Sequence, residues 1–402
     1  MANFGQKVLI LRRNQVWDMQ RYLFIIMVLA VFVGANAFLY VQTLPLFQQP
    51  RLGAWLRGLF VLLALSFVVA MRYGGAISNA LGSVLAAVGT FWLAVMLYLT
   101  LFFVVLLLLR LFNRWLVFSE WLDFAQHPDN HRIAVIVVYA LTFVVLLAGH
   151  INAMMPRLVH LRLEVAKPMA TPLRAVMLSD IHMGHIIGNR QLARMVHKIN
   201  DLSPDVVLLA GDTFDQQLEP VQRRNMGVHF EHIVAKHGVV AVTGNHDYFG
   251  QHDAKIAYLQ LHGVKVLCDS VISIDDCYIV GRNDLQSQHV LQHRRRPLSD
   301  MLQDLPNIDS MAVVVLDHQP FHLEEAQQAG ADVQLSGHTH HGQLWPLNYL
   351  TQSIYELSHG YLRKGTTHYY VSSGYGTWGP RVRLGSRPEI VLLEIIPAQL
   401  HD

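Results

Sequence analysis

Charge is scarce in this chain: Asp, Glu, Lys and Arg make up only 15% of its 402 residues, against roughly 25% in an ordinary soluble domain. The deficit lies almost wholly before residue 155. A uniformly soluble globule is thereby excluded, and a membrane half followed by a soluble half is implied. A net charge of +2 provides no basic field, so no nucleic-acid partner is expected, and the run Arg294, Arg295, Arg296 reads as a solvated loop. Cysteine is nearly absent. Cys268 and Cys277 lack the paired C-x-x-C spacing of a metal or redox motif and read as packing residues.

Long apolar runs are abundant. A helix crosses the hydrocarbon core with about 20 apolar residues, at about 1.5 Å each. Segments 22–41, 85–109 and 133–153 meet that length, and 54–71 does so if Trp55 and Arg57 reach the interface. Residues 1–155 are therefore expected to form a four-helix transmembrane anchor, with the lipid bilayer as partner. The first run is too long for the apolar core of a cleaved signal peptide. Asp, Glu and Lys are missing from all four spans, which argues against a transport pathway. With four spans both termini share a side. That side carries eight Lys and Arg near the spans and the other five, so the soluble half is expected in the cytoplasm.

A polar linker, 156–170, precedes a soluble region at 171–397. Short β-branched runs at 174–178, 206–210, 239–242, 312–316 and 333–336 read as buried strands, and 189–200 has the spacing of a one-faced helix. This is the alternation of an α/β domain, in which ligands gather at the carboxyl ends of strands. The five strand ends carry Asp180-Ile-His182, Gly211-Asp212-x-x-Asp215, Gly244-Asn245-His246-Asp247, Asp317-His318 and Gly337-His338-x-His340. An extended backbone would point both side chains of Asp-x-His and of His-x-His the same way. Any one of these residues alone reads as a helix cap or an ordinary polar side chain. Five sets together, buried without a cation, would be costly, so a metal site is expected.

These residues closely resemble the calcineurin-like metallophosphoesterase superfamily, whose order is D-x-H, G-D-x-x-D, G-N-H-D/E, H and G-H-x-H. The segments DHQP, LSGHTHHGQLWP and GYGTWGPRVRLGSRPEI are similar to its membrane-associated bacterial branch, which includes hydrolases of UDP-2,3-diacylglucosamine. His341 departs from that branch, where Gly is usual. The resemblance implies a β-sandwich flanked by helices and two divalent ions, manganese first, with iron or zinc as alternatives. One ion would be held by Asp180, His182 and His340, the other by Asn245, His318 and His338, with Asp212 between them. His246 would be the catalytic acid, oriented by Asp215. The expected activity is hydrolysis of a phosphodiester or pyrophosphate by a two-metal hydroxide mechanism, at a bacterial inner membrane. The apolar stretch 344–362 and Arg381 with Arg383 favour a lipid-linked phosphate substrate. A soluble nucleotide or phosphoprotein is the alternative, and a non-catalytic membrane binding module a more distant one.

Overall fold

The computed structural model of the chain describes residues 2–48, 51–73, 79–292, 294–303 and 305–398. The chain divides into two compact units, Met1–Phe67 with Trp92–Val145 and Val68–Phe91 with Leu146–Asp402. Four long helices begin it: α1 (Ala2–Phe47), α2 (Leu52–Tyr73), α3 (Asn79–Leu116) and α4 (Pro128–Ala153). Each contains a stretch long and apolar enough to cross a membrane, namely Ile26–Phe47, Leu52–Ala70, Leu81–Leu116 and Pro128–Ala153. The first unit packs Leu39, Phe60, Trp92, Phe103 and Val135 inside. Some inner polar groups pair with one another, in that Trp92 Nε1 donates to Asn36 Oδ1 at 3.0 Å and Thr43 Oγ1 lies 2.8 Å from the Tyr139 hydroxyl, while Ser66 and Thr142 donate to main-chain carbonyls. Pairing of this kind keeps polar atoms tolerable where no water reaches them.

The second unit is a β-sandwich. Its first sheet contains β1 (Arg157–Val165), β2 (Leu173–Leu178), β3 (Val206–Ala210), β4 (Val239–Val242), β5 (Val264–Leu267) and β12 (Glu389–Pro397). The second contains β6 (Ser270–Ile274), β7 (Cys277–Gly281), β8 (Ala312–Leu316), β9 (Val333–Ser336), β10 (Gly360–Lys364) and β11 (Thr367–Val371). The strand orders are β1-β12-β2-β3-β4-β5 and β10-β11-β9-β8-β7-β6. Successive side chains on a strand point to opposite faces. Ala175, Met177, Leu208 and Ala210 accordingly meet Val314, Leu316, Val333 and Leu335 between the sheets. Val176, Leu178, Val207 and Leu209 face outward onto Leu192, Met195, Val196 and Ile199 of α5 (Asn189–Asp201). A third core covers the outer face of the second sheet, around Tyr278, Val280, Val313 and Val315. The inner strands β2, β3, β4, β8 and β9 are thus covered on both faces, which explains why they read as continuous apolar runs.

The interval 156–170, expected as a linker, carries β1, paired in parallel with β12 along all nine of its residues. Val159, Leu161, Leu163 and Val165 alternate with polar residues and pack on the inter-sheet core, the signature of a half-buried strand. Only Met154, Met155 and Pro156 separate α4 from the sandwich, a span of at most about 11 Å. The Arg294–Arg296 run also differs from expectation. Arg295 is buried, and its Nη1 lies 3.0 Å from Asp317 Oδ1, while Arg282 Nη1 lies 2.9 Å from Asp317 Oδ2. Burial is sustained there because the carboxylate and both guanidinium groups are paired. Cys268 is exposed, Cys277 is buried, and both are free thiols.

Candidate metal centre

Asp180 and His182 follow β2, Asp212 and Asp215 follow β3, and Asn245 and His246 follow β4, all on the first sheet. His318 follows β8, and His338 and His340 follow β9, on the second. The carboxyl ends of five parallel-paired strands thus converge from both layers. The close approach does not arise from extended backbone, as the sequence alone suggested. Asp180, His182, Asp212, His338 and His340 have φ of +52°, +50°, +52°, +71° and +47°. Side chains rarely adopt that left-handed region, and such residues cluster at sites that require them. Gly211 has φ +91°, and a Cβ there would enter the His318 ring. At Gly244 an added Cβ would strike Asp212. At both positions only glycine lets the turn close.

Three close donor groups result among the described residues: His182, Asp212 and His246 form one, which brings His246 beside the metal ligands, and the other two match the assigned ion sites. Asp180, His182 and His340 bring one donor atom each within 4.8 Å of one another, as do Asp212, His318 and His338. In the first, His182 Nε2 and His340 Nε2 are 3.0 Å apart, and His340 Nε2 is 3.4 Å from Asp180 Oδ1. In the second, His318 Nε2 is 3.2 Å from Asp212 Oδ2, and Asn245 Oδ1 is 2.8 Å from His338 Nδ1. The same Asp212 Oδ2 is 3.9 Å from His182 Nε2, so a single carboxylate oxygen faces both sets. All seven residues assigned to metal from the sequence are brought together.

Electrostatics point the same way. Burial pushes His182 and His338 down to about 3, and burial followed by the Arg383 charge holds His340 well below the ordinary histidine value. These imidazoles are neutral and offer lone pairs, the form a metal requires. Burial opposes charge on Asp212 as well, but His318 holds it well below the carboxylate range, and Asp212 in turn holds His318 well above its own. His318 Nδ1 is anchored on the Ala210 carbonyl at 2.7 Å, while its buried Nε2 faces only carboxylate oxygens, Asp212 Oδ2 at 3.2 Å and Asp180 Oδ1 at 4.0 Å. That nitrogen, aimed at two carboxylates, and the N/O donor set without thiolate fit divalent cations.

His246 Nδ1 lies 2.5 Å from the main-chain carbonyl of Asp215, whereas the Asp215 carboxylate is 4.0 Å away. Orientation of His246 therefore comes from the backbone of Asp215, not from its side chain. His246 Nδ1–H donates to that carbonyl, which leaves Nε2 for the cleft. Its main-chain N–H donates to Asp212 Oδ1 at 2.8 Å.

Three residues have supporting roles that the sequence did not assign to them, and Lys255 was not singled out at all. Asp247 accepts the N–H groups of Gly244 and Phe214 at 2.8 and 3.0 Å and closes the Asn245–His246 turn. Lys255 is buried and donates to the His246 and Phe249 carbonyls at 3.0 and 2.7 Å. Arg383 is fully buried, with Nη2 3.0 Å from His340 Nδ1 and Nη1 2.6 Å from the Ser373 carbonyl. It supports a metal-site histidine and does not meet a substrate phosphate, as the sequence had led us to expect. His341 has φ +48° and bonds Ser358 through Nδ1 at 2.9 Å, a conformation that glycine adopts without strain.

Residues 173–342 match the family model described as calcineurin-like phosphoesterase. The chain carries a calcineurin-like metallophosphoesterase domain. A metallophosphoesterase of Helicobacter pylori is 28% identical over 228 residues, which cover 56% of this chain and 60% of that protein. A transmembrane protein with metallophosphoesterase domain from Danio rerio is 31% identical, over 63% of this chain and 61% of its own length. One from Aquifex aeolicus is 28% identical, over 63% of this chain and 98% of its own. The chain thus spans about three fifths of the Helicobacter and Danio relatives. Beside this metallophosphoesterase domain the chain carries four helices long and apolar enough to cross a membrane.

Proposed function

We propose that the chain is a membrane-bound, metal-dependent phosphoesterase that hydrolyses a phosphodiester or pyrophosphate bond in a lipid-linked substrate. The observation that carries the hydrolytic reading is Asp212 Oδ2, placed between His182 Nε2 at 3.9 Å and His318 Nε2 at 3.2 Å. Asp180, His182 and His340 would hold one ion, and Asn245, His318 and His338 the other, with Asp212 shared. Bound there, two divalent ions would supply an activated water and neutralise charge on the phosphoryl oxygens. His246, fixed through Nδ1, would give its Nε2 proton to the leaving oxygen. Manganese suits the mixed oxygen and nitrogen donors, with iron or zinc as alternatives.

The lipid part of the reading is supported by the rim of the cleft. The Phe249 and Trp378 rings lie 5.2 and 6.4 Å from the His246 ring, Tyr355 lies 6.0 Å from His338, and Phe249 and Trp378 are exposed. Such rings offer apolar contact to an acyl or prenyl chain. They would also stack a nucleobase, which keeps a soluble nucleotide as the second reading. Steady-state kinetics with Mn distinguish these. His246→Ala should slow turnover by roughly 10² to 10⁴ while metal content is retained; loss of the metals would make His246 a ligand. Phe249→Ser with Trp378→Ser should raise KM for an acylated phosphodiester and spare a short-chain one. Equal losses on both, or losses only on nucleotides, would remove the lipid-linked substrate.

A further inference from the structure

The helix Leu347–Ile354 buries none of its residues and leaves its apolar side chains exposed. Leu347, Leu350 and Ile354, at i, i+3 and i+7, share one face, and they are 40, 57 and 54% exposed. Asn348 and Thr351 are the half-buried ones. A helix covering a soluble sandwich buries its apolar stripe, so this exposed one is a contact surface.

Hydrogen bonds connect the base of this helix to the end of α4. Gly149 O accepts the Arg383 N–H at 2.9 Å, and Asn152 Nδ2 donates to the carbonyls of Arg383 and Ser386, both at 2.9 Å. The same loop supplies the Leu384 carbonyl, which accepts the Trp345 N–H at 2.6 Å, two residues before the helix begins. Replacing Gly149 by any larger residue would drive a Cβ into Val382 and Leu384, so α4 and the loop are in direct contact. Arg387, exposed, donates to the Met155 carbonyl at 2.9 Å, which places a cation two residues beyond α4, where anionic headgroups would lie.

We propose that the helix Leu347–Ile354 lies in the interfacial layer of the bilayer that α4 crosses, with its apolar face toward the acyl chains. Short apolar faces bind bilayers in this way, a few ångströms below the headgroups. The inference rests on α4 crossing a bilayer and is independent of the substrate.

The test uses the full chain, one copy per nanodisc of anionic phospholipid, with the exposed thiol removed (Cys268→Ser). An environment-sensitive fluorophore is attached singly through Leu350→Cys, Ile354→Cys, Leu147→Cys in α4, or Lys236→Cys, which lies before β4 and away from the metal ligands. Nitroxide-labelled lipid should quench the fluorophore at 350 and 354 as strongly as at 147, and leave that at 236 unquenched. Quenching at 147 but not at 350 or 354 would overturn the interfacial helix while keeping the membrane span. A blue-shifted but unquenched label at 350 would mean that protein covers the face, and would overturn it equally. No quenching at 147 would remove the span itself, and the inference with it.

Discussion

Asp180 is fully buried, and burial, reinforced by the charge of Asp212, raises its carboxyl to about 6. A cation must displace that proton. The sign follows: the Asp180 contribution to metal affinity is full above this value and falls as pH drops through it, adding about tenfold per unit to the loss that comes from the proton His318 holds. Calorimetric titration of the metal-free protein with Mn at stepwise lower pH should show this weakening beginning near 6, and an affinity constant down to the ordinary carboxylate range would contradict it. At this scale the sequence was unusually legible, because Asp180, His182, Asp212, Asn245, His318, His338 and His340 stand in a fixed order of short motifs. What it concealed was the backbone that aims them, since left-handed φ at an Asp or a His leaves no mark in residue type. Arg383, Lys255 and Asp247 were concealed for a related reason. Their partners are largely main-chain groups, which every residue supplies.

Strands, unlike single residues, announced themselves by apolar runs, and β2, β3, β4, β8 and β9 lie where those runs lie. β1 was missed because Pro168 and Pro172 drew the domain boundary past it, although its alternation from Val159 to Val165 is that of a strand. The pairing of the sheets was also hidden, since crossovers join residues far apart in the chain and periodicity is local. The end of β8 shows how an element is held in place. Asp317, one residue before His318, is gripped by Arg282 and Arg295, which in turn meet Glu325. Replacing both arginines (Arg282→Met with Arg295→Met) leaves a buried carboxylate unpaired, a loss of about 3–5 kcal/mol. Thermal unfolding should show that loss, together with weaker metal retention from a displaced His318. Each single variant should lose less, and unchanged melting of the double variant would mean that the network does not hold the strand end.

For the whole molecule, the distribution of charge marked an apolar first part and a more polar second part, but the compact units divide elsewhere, with Val68–Phe91 and Leu146–Asp402 in one unit, and the sandwich was legible only through family resemblance. Side of the membrane is a separate matter: eight Lys and Arg against five near the spans favour the cytoplasm for the phosphoesterase domain. A reporter fused after Asp402 should be active in the form that works in the cytoplasm; activity only in the exported form would reverse the topology. Hydrolysis at this site depends on seven residues from two sheets holding two ions. Elemental analysis of purified, Mn-loaded protein tests it directly. Two ions per chain are expected for the unaltered protein, with one lost in His340→Ala, one in His338→Ala, and both weakened in Asp212→Asn. Two ions retained in all three variants would contradict the assignment.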